Sequence, residues 1–107
     1  YWNGLAVYRS EDFTNWTRCP DILRESGTRP MDAGFAHHAD VLVKDGCAYI
    51  FYFCHPYAVE GKTADAGSDS LTERERNRAV VQVAQLDMRD GILVCDRNAP
   101  VVWTMPV

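Results

Sequence analysis

Two histidines and an aspartate open an otherwise apolar stretch of the sequence, HHADVLVKDGCAYIFYFCHP. Imidazole and carboxylate groups can exchange protons, hydrogen-bond a ligand or hold a metal ion. Because side chains alternate along a strand, His38 and Asp40 are expected to share one face and His37 to point to the other. We interpret His38 and Asp40 as candidate ligand-binding residues. The alternative is a strand-opening histidine bonded to the backbone, with an ordinary edge aspartate beside it.

A second pair of polar residues precedes this strand, in the segment TRPMDAG. Arg29 and Asp32 lie on the loop that leads into the strand, so both side chains are expected to reach the same opening. A guanidinium and a carboxylate can bind hydroxyl or carboxylate groups of a ligand. We therefore predict a binding site formed by Arg29, Asp32, His38 and Asp40, with a plain solvated loop pair as the alternative for the first two.

Two Asp-Gly dipeptides, at positions 45–46 and 90–91, each separate two apolar runs. Asp-Gly tolerates the positive φ angles of a tight hairpin turn. We predict one antiparallel sheet of sequential strands over residues 38–44, 48–55, 79–88 and 92–96. The segment GLAVYRS and residues 16–23 predict an earlier hairpin. The polar stretch 56–78 predicts a long surface loop with a capping box from Ser70 to Glu73.

The strand AYIFYFC is apolar on both of its faces. Parallel strands buried between helices have this pattern, but no amphipathic helix of the required length is indicated. An antiparallel meander covered on both sides is typical of a β-propeller blade packed between its neighbours. We therefore predict an all-β chain that forms part of a β-propeller, about one and a half four-stranded blades. A β-sandwich is the alternative.

Composition excludes several partners. The formal net charge is −4 without a basic stripe, so no nucleic-acid partner is predicted. No apolar run approaches the ~20 residues that span a bilayer, so no membrane partner is predicted.

Cys47 and Cys54 would lie roughly 23 Å apart on one strand and cannot form a disulfide. Free thiols favour a reducing, cytoplasmic compartment, and both ends of the sequence look cut, so a targeting segment would not be visible.

Two motifs carry a resemblance to a known group of enzymes. The segment YRSEDFTNW resembles the S-x-D-(L/F)-x-x-W turn of five-bladed β-propeller glycoside hydrolases such as family 43 and its relatives in families 32, 117 and 130. It is less similar to the sialidase Asp-box, whose glycine is replaced by Thr14. The segment AHHADVLVKDGCAYIFYFCHP is similar to the family-43 pattern in which a Gly-His opens the inner strand and an aromatic strand ending in His follows a D-G turn.

This resemblance implies a C-terminal fragment of a single propeller domain. Residues 1–35 would be the outer strands of one blade with a connecting loop, and residues 36–107 the next blade and a tail. Independently of the resemblance, the residue types predict structural roles for Asp12, whose carboxylate would cap turn amides, and for Trp16, whose indole would fill the gap between strands. The implied activity of the parent is glycoside hydrolysis, with an acid, a base and one further aspartate from earlier blades that this chain lacks, so no catalytic residue is assigned.

In that family the histidine that His38 matches lies near the substrate or a central metal or water. The resemblance therefore implies that His38 binds a sugar hydroxyl, orients water or ligates a hard cation such as calcium. Calcium prefers oxygen ligands, so no metal ligand is assigned and calcium stays only a candidate. The implied partners are an oligosaccharide and the remaining blades. A non-catalytic propeller that binds glycan or protein is the alternative function, because a fold does not fix an activity.

Overall fold

The computed structural model describes residues 4–57 and 72–103. These residues form an all-β chain with one short helix and two antiparallel sheets. The first sheet pairs β1 (Leu5–Arg9) with β2 (Thr17–Ile22). The second has the order β3-β4-β5-β6, and its strands are β3 (Ala36–Lys44), β4 (Cys47–Cys54), β5 (Val80–Arg89) and β6 (Ile92–Cys95). The helix α1 spans Glu73–Arg76.

The predicted four-stranded meander and the earlier hairpin are confirmed. Both Asp-Gly dipeptides form the connections, because Asp45 and Gly46 have φ angles of 52° and 76°, and Asp90 and Gly91 have 51° and 75°. Positive φ at both central residues matches the twist of the flanking strands. The capping box was predicted two residues too early: the side chains of Thr72 and Glu75 form it, whereas Ser70 lies outside the described residues.

A bulge interrupts β3 near its start. His37 pairs with Phe53 and Asp40 with Phe51, so His38 and Ala39 together oppose the single residue Tyr52. An extra residue in one strand breaks the strict alternation of side chains. His38 has a φ of 52°, in the left-handed region that β-strand residues avoid. The sequence-based alternation through this segment is therefore wrong.

The hydrophobic core lies against one face of the larger sheet, which we call the core face. Ile50, Tyr52 and Cys54 of β4 point to it. Ile22 and Leu23, at the end of the smaller sheet, pack against these side chains. Removing apolar side chains from water stabilises the fold by about 25 cal/mol per Å² of area buried. This shared core fixes the smaller sheet against the larger one.

The opposite face of β4 carries Tyr49, Phe51 and Phe53, and we call it the aromatic face. The indole of Trp103 covers part of it, with ring centroids 5.0 Å from Tyr49 and 5.6 Å from Phe51. Phe53, at the other end of the strand, is 40% exposed. The prediction that both faces of β4 are covered therefore holds for its core-face side chains and only partly for its aromatic face, among the residues that the structure describes.

The turn between β1 and β2 is held by the carboxylate of Asp12. Its Oδ1 atom accepts the backbone N–H groups of Asn15 at 2.7 Å and Thr14 at 2.9 Å. These bonds, with one from the Asn15 side chain, hold the pKa of the Asp12 carboxyl well below its usual range. The predicted capping role of Asp12 is confirmed.

Trp16 is 54% exposed and lies edge-on to Phe13, so its predicted role of filling a gap between strands is wrong within the described residues.

The two Asp-Gly turns allow a direct test of whether the hairpins require residues with positive φ angles. A Cβ added at Gly46 meets no atom within 4 Å, so Gly46→Ala changes only the cost of a positive φ. We expect a loss of about 1 kcal/mol in the free energy of unfolding, measured by urea titration. Asp45→Asn is the control, because asparagine tolerates this region, and should change stability by less than about 0.5 kcal/mol. Equal stability of Gly46→Ala and the parent would contradict the turn geometry.

Candidate functional site

The three histidines of the sequence come together at one end of the larger sheet. The rings of His37 and His55 are stacked, with centroids 4.9 Å apart and planes inclined by 23°. The ring of His38 stands edge-on to His37, with centroids 5.0 Å apart. Phe53 completes the group, at 6.1 Å from His38 and 6.5 Å from His37. We call these four side chains the imidazole cluster.

The members of the imidazole cluster differ in exposure. His38 is exposed, and so is Asp40 further along β3, whereas the ring of His37 is half-buried between its neighbours. His55 donates its Nδ1 proton to the backbone carbonyl of Arg78 at 3.0 Å, because a carbonyl oxygen can only accept. The exposed imidazole and carboxylate are therefore the groups that a ligand at this end would meet.

The environment of His37 disfavours its charged form. Burial lowers its pKa below the ordinary value of 6.5, and the nearby rings of His55 and His38 lower it further, since a proton on either ring would repel a proton on His37. His37 is therefore neutral at physiological pH. A neutral ring can stack on His55 without charge repulsion.

A second polar group lies beneath the core face of the sheet. The Asp32 carboxylate is fully buried and accepts hydrogen bonds from Arg97, at 2.7 Å from Nη2, and from the Tyr52 hydroxyl, at 2.9 Å. Arg97 is also buried and donates to the backbone carbonyls of Glu25 at 2.7 Å and Gly34 at 3.0 Å. A buried ion pair is tolerated when additional hydrogen bonds satisfy both charges, as they do here.

Arg29 completes this buried group. Its guanidinium donates to Asp32 Oδ2 at 3.2 Å and to the backbone carbonyl of Val83 on β5 at 2.9 Å. Burial and the hydrogen bond to Asp32 raise the pKa of Tyr52 to about 12, so its hydroxyl remains a donor. Gly27 touches the same carboxylate, because a Cβ at that position would lie 2.6 Å from Asp32 Oδ2. The loop before β3 is thus tied to the core face of the sheet.

The four residues predicted from the sequence divide into two groups. His38 and Asp40 lie at the exposed start of β3, and Asp40 pairs with Phe51 on the aromatic face. Asp32 bonds to Tyr52, which points to the core face, and is 0% exposed. The prediction that Arg29 and Asp32 reach the same opening as His38 is therefore wrong, because both are bonded beneath the core face. His37 and Asp40 share a face, contrary to the alternation prediction, because the bulge lies between them.

Sequence reasoning missed Arg97 and His55 as members of these groups. Arg97 follows the last strand in the segment CDRNAP, which carries no motif, and its contact with Asp32 spans 65 positions. His55 directly follows the aromatic strand β4 and carries no predicted role in the binding site. Its position two residues after Phe53 was the available signal, because such residues share a face.

Metal and thiol chemistry find no support among the described residues. No three His, Cys, Asp or Glu side chains there come close enough together to hold a metal ion. Within the same residues, no helix is long and apolar enough to cross a membrane. All four cysteines are free, and burial raises the pKa of the Cys54 and Cys95 thiols, the latter to about 11. Neither thiol is activated as a nucleophile.

Comparison with known proteins does not assign the chain to a family. No protein-family model matches the chain, and a search of curated proteins found no match either.

The buried Asp32 ion pair can be compared with an exposed one in the same chain. Arg97→Met leaves a buried carboxylate with one guanidinium fewer, and we expect it to cost about 3–5 kcal/mol in the free energy of unfolding. Arg9 pairs with Glu11 at 3.1 Å with both side chains exposed, so Arg9→Met should cost less than about 0.5 kcal/mol. Denaturant unfolding of both variants measures the difference. Losses of similar size would contradict the assignment of Asp32 and Arg97 as the buried centre of the fold.

Proposed function

We propose that the chain is the C-terminal part of a β-propeller carbohydrate-active protein related to glycoside hydrolases of family 43. In this proposal residues 36–107 form one blade and its tail, and residues 1–35 form the outer strands of the blade before it. The exposed start of β3 lies at the mouth of the central channel, where His38 and Asp40 contact an oligosaccharide. The catalytic carboxylates belong to other blades of the parent.

The bulge in β3 is the observation that carries this proposal. Bulges are frequent next to active sites, where they redirect a side chain. His38 adopts a positive φ that costs a non-glycine residue free energy, and such strain is concentrated at functional sites. The result is an exposed imidazole beside the partly exposed ring of Phe53, with an exposed carboxylate further along the same strand. Polar groups beside an aromatic ring are the usual composition of a sugar-binding surface.

The surface of the larger sheet supports the propeller architecture. Side chains on both of its faces remain exposed although they are apolar, among them Val43 at 69%, Val81 at 60% and Met88 at 61%. Each blade of a propeller buries such faces against the neighbouring blades. The sequential β3-β4-β5-β6 order is also the order of strands within one blade.

The buried state of Asp32 bears on the choice between hydrolysis and binding. An inverting glycosidase needs two carboxyl groups about 6.5–9.5 Å apart at the substrate. Asp32 cannot supply one of them beside Asp40, because it forms ion pairs with Arg29 and Arg97 beneath the opposite face of the sheet. Hydrolysis therefore requires carboxylates from the parent's other blades. The coding sequence of the proposed parent decides between the two functions. If its first two inner strands carry no aspartate and its third carries no glutamate, the non-catalytic binding module is the function that we propose instead of hydrolysis.

The role of His38 can be tested in the complete parent protein. Binding is measured by calorimetry at pH 7.5 with xylotriose, arabinotriose, mannotriose, cellotriose and galactotriose. We expect that at least one of these binds and that His38→Gln weakens this binding about 10-fold or more, the loss of one good hydrogen bond. His37→Phe is the matched control: it keeps a ring in the stack and should stay within a few-fold of the parent.

Two results would contradict the proposal. One is the absence of binding to every sugar in the panel by a folded parent. The other is a folded His38→Gln variant that binds as tightly as the parent, since His38 would then not contact the sugar.

A further inference from the structure

Strand β3 lies at the edge of the larger sheet. It pairs with β4 on one side, and none of the described strands pairs with it on the other. Its middle residues are apolar and exposed on both faces of the sheet: Val41 is 51% exposed, Leu42 45% and Val43 69%. A row of unpaired backbone groups beside exposed apolar side chains is a template for pairing with another strand.

The backbone groups of β3 that face its open edge follow from the hairpin. Lys44 precedes the two-residue turn and belongs to its closing hydrogen-bonded pair. Because such pairs alternate along an antiparallel ladder, Leu42 and Asp40 also bond to β4. The N–H and C=O groups of Val41 and Val43 therefore point away from β4. The N–H of Val41 agrees with this, since it bonds to Asp40 Oδ1 at 2.8 Å.

We infer that this edge pairs with the same edge of a second copy of the chain, antiparallel and with Leu42 at the two-fold axis. In this register Val41 lies opposite Val43 of the second copy, and the two residues exchange both of their backbone hydrogen bonds. These are the groups that point outward in the single chain. The interface is isologous, so it uses the same surface on both copies and closes at two.

The charges along β3 fit this register. Asp40 and Lys44 are each two residues from Leu42, so Asp40 lies opposite Lys44 of the second copy at both ends of the pairing. All three side chains share the aromatic face, with the two ion pairs on either side of the paired leucines. Opposite charges directly across two strands stabilise their pairing, and like charges there destabilise it. A shift of the register by one residue removes both ion pairs.

The bonds that Asp40 and Lys44 make within one chain do not oppose the pairing. Lys44 Nζ contacts Asp45 Oδ2 at 2.6 Å, but the Asp45 side chain is 83% exposed, and an exposed ion pair contributes little to stability. Asp40 Oδ1 holds the N–H of Val41, which in the pair bonds to the Val43 carbonyl of the second copy. The carboxylate is then available to Lys44 of the second copy.

Two features limit how far the pairing extends. The bulge at His38 and Ala39 bends β3 and ends its regular edge, so the paired segment is residues 40–44. The opposite edge of the same sheet, β6, has only four residues, and β2 lies beside it. Growth of this sheet beyond two copies is therefore not favoured.

This inference does not rest on the proposed function. In the proposed parent the edge of β3 faces the central channel, so the pairing concerns the 107-residue chain on its own. Sugar binding by the parent tests the function, and the oligomeric state of the chain tests the inference. Either can fail without the other.

Sedimentation velocity of the chain and of charge variants tests the pairing. At about 100 µM and neutral pH we expect the chain to sediment with twice the mass of one copy. Asp40→Lys and Lys44→Asp each place like charges opposite one another, and each should raise the dissociation constant of the dimer about 10-fold or more. The double variant Asp40→Lys/Lys44→Asp restores opposite charges and should lie within about 3-fold of the unsubstituted chain.

Asp87→Lys is the matched control. Asp87 is an exposed aspartate of β5, away from the open edge, and its substitution changes the net charge by the same amount as Asp40→Lys. It should leave the dissociation constant within about 3-fold of the unsubstituted value. A general effect of net charge would weaken the dimer equally in both variants and would contradict the inference.

Hydrogen exchange in the unsubstituted chain covers the case in which a variant does not fold. The Val43 amide faces the open edge in the single chain and is bonded in the pair, whereas the Leu42 amide bonds to β4 in both states. Raising the protein concentration through the dissociation constant should therefore slow exchange at Val43 and leave Leu42 unchanged.

Three results would overturn the inference. The first is a chain that is monomeric, unfolded or in larger assemblies at this concentration. The second is a dimer that folded single variants do not weaken, or that the folded double variant does not restore. The third is a dimer in which the Val43 amide exchanges as fast as in the monomer.

Discussion

The pairing of a buried carboxylate with a buried guanidinium is the interaction on which the rest of the structure depends. Asp32 lies on the loop before β3 and Arg97 follows β6, so their contact joins the two ends of the larger sheet across 65 positions. Arg97 also holds the carbonyls of Glu25 and Gly34, and Tyr52 connects the pair to the middle of the sheet. An unpaired charge in this position would be strongly destabilising, so the loop has few alternative conformations.

This constraint determines where the candidate site lies. With Asp32 fixed beneath the core face, the chain emerges at Ala36, which is fully buried, and reaches the bulge within two residues. His37 already points to the aromatic face opposite Phe53, and the bulge that follows it brings Asp40 to the same face. A structural ion pair and an exposed polar group thus arise from neighbouring parts of one loop and strand, and they occupy opposite faces of the sheet.

Much of the fold could be predicted from the sequence because its signals are local. The two Asp-Gly dipeptides and the alternation between them specify strand order, and the carboxylate of Asp12 specifies its turn. The bulge could not be predicted, since no residue type demands it and a histidine stands at the strained position. The partner of Asp32 could not be predicted either, because Arg97 follows a segment without periodicity. Only the folded sheet brings those side chains together.

The central proposal is that the exposed start of β3 contacts a sugar. A crystal structure of the complete parent protein with a bound oligosaccharide tests it most directly. The account predicts that a sugar hydroxyl lies within hydrogen-bonding distance, about 2.7–3.2 Å, of a His38 ring nitrogen or an Asp40 oxygen, with Arg97 still bonded to Asp32. A sugar bound elsewhere, with no atom near His38 or Asp40, would contradict it.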